Sequence, residues 1–188
     1  MANVLVPLAE GCEELEAVTI IDLLRRAGIQ VTTASLEKGS EVKPVTASRG
    51  IVLIPDTTLD NAMQESFDMI VLPGGLPGAD HLDNDPRIHQ LLKSMAEQDK
   101  YTAAICAAPK VLAHASLLDG KSATSYPGFI DKMNLADTQI SSDSVVHDGK
   151  VVTSRGPGTA MDFALKLIEL LAGKDKRDEV ASGLLWQG

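Results

Sequence analysis

Short, mostly apolar runs alternate with helix-length stretches from one end of this chain to the other, and that alternation leaves few folds open. Asn3 to Leu8 reads as a first strand, Glu13 to Ala27 as a helix stopped by Gly28, and Gln30 to Ser35 as a second strand. Met69 to Leu72 is a wholly apolar strand ending in Pro73-Gly74-Gly75, and Pro86 to Gln98 is the helix that follows it. Val42 to Ile54 reads as an antiparallel excursion broken by Arg49-Gly50. Val145 to Val152 reads as a hairpin turning on Asp148-Gly149. Thr159 to Leu171 is a strongly apolar helix ended by Gly173, and Asp175 to Leu185 a weaker one. The expected fold is α/β, a mostly parallel sheet sandwiched by helices, with sites gathered at the carboxyl ends of the strands.

At 188 residues and 44% hydrophobic content, the chain suits one well-buried core, so residues 1–188 are expected to form a single domain. The net charge of -9 comes with no basic run, which argues against a nucleic-acid or anionic-membrane surface. The opening Met1-Ala-Asn-Val-Leu-Val-Pro7 lacks the basic and apolar regions of a signal peptide, and no segment approaches a membrane span. With only two cysteines, the expectation is a cytoplasmic protein with free thiols.

Cys106 carries the first chemical signal. Ala103, Ala104 and Ile105 read as a buried strand, while Pro109 fits the first turn of a helix, so the cysteine stands at a sharp strand-to-helix turn. Ala104 and Ala108 match the small flanking residues of a nucleophile elbow in shape. The helix start is expected to favour thiolate and lower the pKa from roughly 8.5. A buried, inert cysteine is the competing reading. Gly74 and Gly75 end a neighbouring strand, where backbone N–H groups can approach a developing oxyanion, although Pro-Gly-Gly is also an ordinary turn.

Glu16 shares a helical stripe with Ile20, Leu23, Leu24 and Ala27. A carboxylate on that apolar face should have a raised pKa and, once protonated, could donate to a thiolate. A solvated carboxylate at a frayed helix end is the alternative. Glu13 lies at the helix start, where a free N–H satisfies it. Cys12 precedes the same helix without comparable strain. His81, His89, His114 and His147 fall in a polar loop, two helices and a hairpin turn and share no metal-binding spacing, so no metal is expected. Arg26 and Arg49 could form an anion site together or stand alone at the surface. Gly-Gly-Leu-Pro-Gly78 lacks the features of a phosphate-binding loop.

Four segments in order, Glu13-Glu-Leu-Glu16, Val71-Leu-Pro-Gly-Gly75, Ala103-Ala-Ile-Cys-Ala-Ala-Pro109 and Thr153-Ser-Arg-Gly-Pro-Gly-Thr159, together resemble the ThiJ/PfpI superfamily. The likeness runs from Asn3 to about Ala181 and is closest to the branch of the human parkinsonism-linked protein deglycase and bacterial YajL. The resemblance implies a flavodoxin-like three-layer sandwich, a homodimer and no cofactor. It places the nucleophile on Cys106, the protonated partner carboxylate on Glu16, and the oxyanion amides on Gly75 and Ala107.

The chain departs from the family at two points. Protease-like members follow the cysteine with histidine, where this chain has Ala107, and the human branch has a histidine near Tyr126. Mechanisms that need an imidazole are therefore weakened. Two functions follow from the resemblance. One is a glyoxalase III or deglycase acting on methylglyoxal, a small dicarbonyl, or on glycated protein. The other is a redox-sensing stress protein or chaperone in which Cys106 oxidises to a sulfinate.

Overall fold

The computed structural model describes every residue from Met1 to Gly188. Strand β1 (Asn3–Leu8) leads through helix α1 (Glu14–Arg26) to β2 (Gln30–Ser35), and a small antiparallel hairpin of β3 (Val45–Thr46) and β4 (Val52–Leu53) follows. Next come β5 (Thr57–Thr58), α2 (Leu59–Ala62), β6 (Met69–Leu72), α3 (Gly78–Asn84), α4 (Pro86–Glu97), β7 (Tyr101–Ile105) and α5 (Pro109–His114). After the short pair β8 (Ser122–Ala123) and β9 (Gln139–Ile140), β10 (Val145–Asp148) turns back into β11 (Val151–Ser154). Helices α6 (Ala160–Ala172) and α7 (Lys174–Gly183) close the chain.

Seven strands form one sheet in the order β10-β11-β7-β6-β1-β2-β5, parallel throughout except for β10. The expected mostly parallel sheet between helices is therefore present. Central strand β6 is buried at every residue, as a strand covered on both faces must be. One face packs Val4, Val6 and Leu8 against Ile20 and Leu24 of α1 and Phe163 and Leu167 of α6. The other packs Leu5, Ile70 and Leu72 against Leu92 of α4 and Val111 and Leu112 of α5. From β1 the chain winds outward to β2 and β5, then returns to β6 on the other side. The crevice at this switch point, off the carboxyl ends of β1, β6 and β7, is where such sheets bind ligands.

Local chemistry sets the helix ends. Glu13 caps α1 by accepting from the Leu15 N–H at 3.4 Å, and Arg25 and Arg26 occupy its last turn, where cations favour the dipole. Asp85 caps α4 ahead of Pro86 and accepts from the Arg87 N–H at 2.9 Å. Two sequence expectations shift. The hairpin loop is Gly149-Lys150, one residue later than expected, because Asp148 still pairs with Val151. The stretch holding His81 is helix α3, not a loop. Its start at Pro77 and Gly78 has no side-chain cap to announce it.

Glu14 anchors the turn of the small hairpin to α1. Only 5% exposed, it accepts from Ser48 Oγ at 3.0 Å and from the Arg49 N–H at 2.8 Å. Burial opposes its charge, but these hydrogen bonds outweigh burial and hold the carboxyl below its ordinary 4.5. A lowered folded pKa contributes stability above the unfolded value that disappears as the pH falls through the folded one. Glu14→Gln should thus have a lower urea midpoint than the native chain at pH 7. The gap should start to narrow as the pH falls below the unfolded glutamate value of about 4.3 and close once the pH has passed the folded one. A pH-independent gap in urea titrations would refute this linkage.

Candidate active site

Cys106 follows β7 directly and has a φ of 64°, in the left-handed region that a β-carbon disfavours. Two backbone hydrogen bonds hold it there. Its N–H donates to the Ser154 carbonyl at 3.0 Å, and its carbonyl accepts from the Tyr126 N–H at 2.9 Å. Its side chain, half-buried, packs against the apolar clusters on both faces of the sheet. The sulfur faces the N–H groups of Gly75 and Ala107, the two backbone donors that the resemblance implies.

Glu16 is fully buried on α1, beside Ile20, Leu23 and Leu24. Its Oε2 accepts from the Gly74 N–H at 2.9 Å, while its Oε1 has no hydrogen-bond partner in the protein. Desolvation pushes the carboxyl up to about 7, against the Gly74 hydrogen bond and the contact with Cys106. Both glycines of the β6 turn are needed for closeness. A β-carbon on Gly74 would lie 2.6 Å from Cys106 Cβ and 2.8 Å from Glu16 Oε2. Gly75, at a φ of 87°, would drive one to within 2.7 Å of the Gly11 carbonyl.

The thiol departs from the sequence expectation. Burial and then the Glu16 charge push it up to about 12, while the Gly75 and Ala107 amides pull the other way. The Glu16 contribution depends on where that residue's own proton is. Once Glu16 is protonated, the like charge vanishes and its O–H donates to sulfur, which favours thiolate. Carboxyl and thiol thus hold one proton between them over a broad pH range.

The network behind the cysteine was not visible as chemistry in the sequence. Ser154 Oγ donates to the Ser144 carbonyl at 2.6 Å and lies 2.7 Å from Thr159 Oγ1, which also accepts from the N–H groups of Arg155 and Gly156. These contacts brace the strand end that holds Cys106. The only sequence signal was their place in the Thr153–Thr159 segment. Tyr126, half-exposed, stacks edge-on to Phe129 with ring centres 6.4 Å apart.

The other candidates lie elsewhere. Arg26 pairs with Asp22 at 2.8 Å, whereas the Arg49 backbone binds Glu14 at the opposite end of α1. Glu14 and Arg26 are about 18 Å apart at 1.5 Å per residue, so the two arginines stand apart, as the other of the two readings had it, and form no shared anion site within the chain. Cys12 is buried, and desolvation and the Glu14 charge push its thiol up to about 12. His89 and His114, unrelated by spacing, both reach Asp83, at 3.3 and 2.7 Å. No group of three or more His, Cys, Asp or Glu residues is arranged to hold a metal ion.

Known proteins share this arrangement of sequence and fold. The model of the DJ-1/PfpI family matches residues 2–170. Drosophila melanogaster dj-1beta is 46% identical over 183 residues, covering 97% of this chain and 96% of that protein. A Caenorhabditis elegans protein named glutathione-independent glyoxalase DJR-1.2 is 38% identical and covers 97% of this chain and 95% of its own. The oxidized DJ-1 of Toxoplasma gondii superposes with a TM-score of 0.93 at 40% identity over 100% of both chains.

The shared proton makes Glu16→Gln informative. The amide keeps a donor for sulfur but removes the charge that, near pH 8, raises the thiol in the native chain. Iodoacetamide should therefore label Cys106 several-fold faster in Glu16→Gln at pH 8, an effect of about one pKa unit. Slower labelling would show that the carboxylate does not oppose the thiolate.

Proposed function

The chain belongs to the DJ-1/PfpI family, and from that premise we propose that it is a cysteine-dependent glyoxalase III or deglycase that needs no cofactor. Its substrate is methylglyoxal, free or as an adduct with the amines and thiols of proteins. One observation carries the reading, the sulfur of Cys106 facing two backbone amides beside a buried, protonatable carboxyl. The glyoxalase name of the 38% identical relative supports it.

The Cys106 thiolate adds to the aldehyde carbon and forms a C–S bond, giving a hemithioacetal whose oxygen lies toward the Gly75 and Ala107 amides. Glu16 passes the thiol's proton to the new alkoxide, then takes the proton from that carbon and returns it to the neighbouring carbon while the hydroxyl proton moves to the neighbouring oxygen, leaving a lactoyl thioester. Water then cleaves the C–S bond, releasing lactate and the thiol. One carbon is oxidised and its neighbour reduced, so the sum is methylglyoxal plus water giving lactate. For an adduct, the amine or thiol is expelled first.

A second reading rests on the unpartnered, buried Oε1 of Glu16. When protonated, that carboxyl can donate to an oxygen added to the sulfur. Two equivalents of peroxide would convert the thiolate to a sulfinate and release two waters. The oxidized Toxoplasma gondii relative supports this redox-sensing role, in which turnover is incidental and stress protection is the outcome.

In either reading we take residues 1–188 as one domain acting in the cytoplasm as a homodimer. No helix is long and apolar enough to cross a membrane. Leu15 and Val18 of α1 are 51% and 46% exposed, Ile54 lines one groove with Val18, and Ile51 and Val52 of the small hairpin are exposed as well. A second copy would cover them. Light scattering should give twice the 19.9 kDa chain mass at micromolar concentration, and Val18→Asp should shift it toward the single-chain value. A single-chain mass for the native protein would remove the dimer from this proposal.

The enzyme reading is tested by proton NMR of methylglyoxal with the purified protein. Lactate should accumulate over many turnovers, and Cys106→Ser should slow it by at least about a thousandfold, the scale of losing a nucleophile. Stoichiometric change under peroxide, with no lactate formed, would favour the sensor.

A further inference from the structure

A sizeable cavity lies apart from the cysteine site. About 810 Å³ opens beyond the carboxyl ends of β1 and β2, under the loop that leads to β3 and beside the junction of α3 and α4. That is within the range of small-molecule pockets, about 300–1,000 Å³. Cys106, Glu16, Gly75 and Ala107 do not line it.

One wall is rigid. Arg87 donates from Nη2 to the Leu36 carbonyl at 2.6 Å and pairs with Asp60 at 2.6 Å and Asp85 at 2.5 Å, fixing the end of β2 to the start of α4. Leu8, Leu36 and Val45 supply apolar surface. Ser35 also lines the cavity. It is 1% exposed, and its Oγ has no partner in the protein. A buried hydroxyl without a partner is a cost to the folded chain, and a ligand oxygen or amide would relieve that cost.

The charges on the lining leave a specific remainder. Lys43 pairs with Glu37 at 3.2 Å, and Arg87 with Asp85. Lys38 and Glu10 form no ion pair within 4 Å, although the Lys38 charge is felt by Asp60 and Glu10 accepts from the Thr46 N–H through Oε1. One cation and one anion therefore remain at the rim of a cavity with an apolar wall and an unpaired hydroxyl.

We propose that this cavity is a second ligand site that takes a small zwitterion of dipeptide size, with its carboxylate toward Lys38, its ammonium toward Glu10 and its peptide group on Ser35. The site is independent of the cysteine chemistry, so it stands or falls apart from the proposed activity.

Amide NMR of the full chain, titrated with alanyl-leucine, tests this. The peptide should move the Ser35, Leu36 and Val45 signals saturably. It should bind at least about tenfold more tightly than N-acetyl-alanyl-leucine or alanyl-leucinamide, each of which lacks one charge. Ser35→Ala should keep or raise the native thermal midpoint, because its hydroxyl has no protein partner to lose and its burial unpaired is a cost, yet bind several-fold more weakly. Cys106→Ser should bind as the native chain does. No saturable shift by about 10 mM, equal binding of the blocked peptides, unchanged binding by Ser35→Ala or loss of binding in Cys106→Ser would each overturn the proposal.

Discussion

The proton held between Glu16 and Cys106 is the constraint around which the rest of the site is arranged. A carboxyl fully enclosed on the apolar stripe of α1 cannot ionise freely, and a half-buried thiol beside it cannot either while the carboxyl is charged. The protein tolerates the pair by bringing backbone amides to both members, Gly74 to the carboxyl and Gly75 with Ala107 to the sulfur. Those amides come from two separate strand ends, and only residues without a β-carbon bring the β6 turn close enough. Gly74 is thus a packing requirement of the chemistry, set by the space between Cys106 Cβ and Glu16 Oε2.

The backbone of Cys106 carries a second cost. A non-glycine residue in the left-handed region is strained by about 1–3 kcal/mol, and such strain persists only where surrounding structure over-determines it. Here the strained peptide is tied on one side to Ser154 and on the other to Tyr126. At about 1 kcal/mol net for each hydrogen bond, the two offset strain of that order. Ser154 is in turn held by Ser144 and Thr159, so the start of α6 and the end of β11 help fix the direction of the sulfur. The parallel register sets Ile105 beside Ser154 and thereby makes the neighbouring strand a support for the turn.

Much of this was legible because it is periodic or local. Strands Asn3–Leu8, Gln30–Ser35 and Met69–Leu72 keep the bounds their apolar runs predict, and the buried stripe of α1 picks out Glu16. What escaped depends on contacts between distant segments. Glu14 looks like a solvent-facing residue of a first turn until Ser48 and Arg49 fold over it, some thirty-five residues away. Helix α3 begins without a capping side chain, and the two-residue strands β5, β8 and β9 are too short for any pattern. The raised thiol is of the same kind. The turn predicts amides near sulfur, but burial and the Glu16 charge are supplied by β1, α1 and β6 together.

Three glutamates within four residues show how finely such environments divide. Glu13 caps the helix, Glu14 is held charged by donors from the hairpin turn, and Glu16 is raised to about 7 by desolvation. The two cysteines differ accordingly. Cys12 is raised to about 12 by burial and by Glu14, a carboxylate whose hydrogen bonds keep it ionised at neutral pH, so its thiol has no nearby group able to take up the charge. Cys106 is raised as far, but its opposing carboxylate can itself accept the proton, and two amides then stabilise the sulfur anion. Cys12 is the more buried of the two, yet both thiols are raised as far, so exposure alone does not set their reactivity. What separates them is whether the neighbouring carboxylate is locked in its charged form, and that is decided by the donors around Glu14 and their near absence around Glu16.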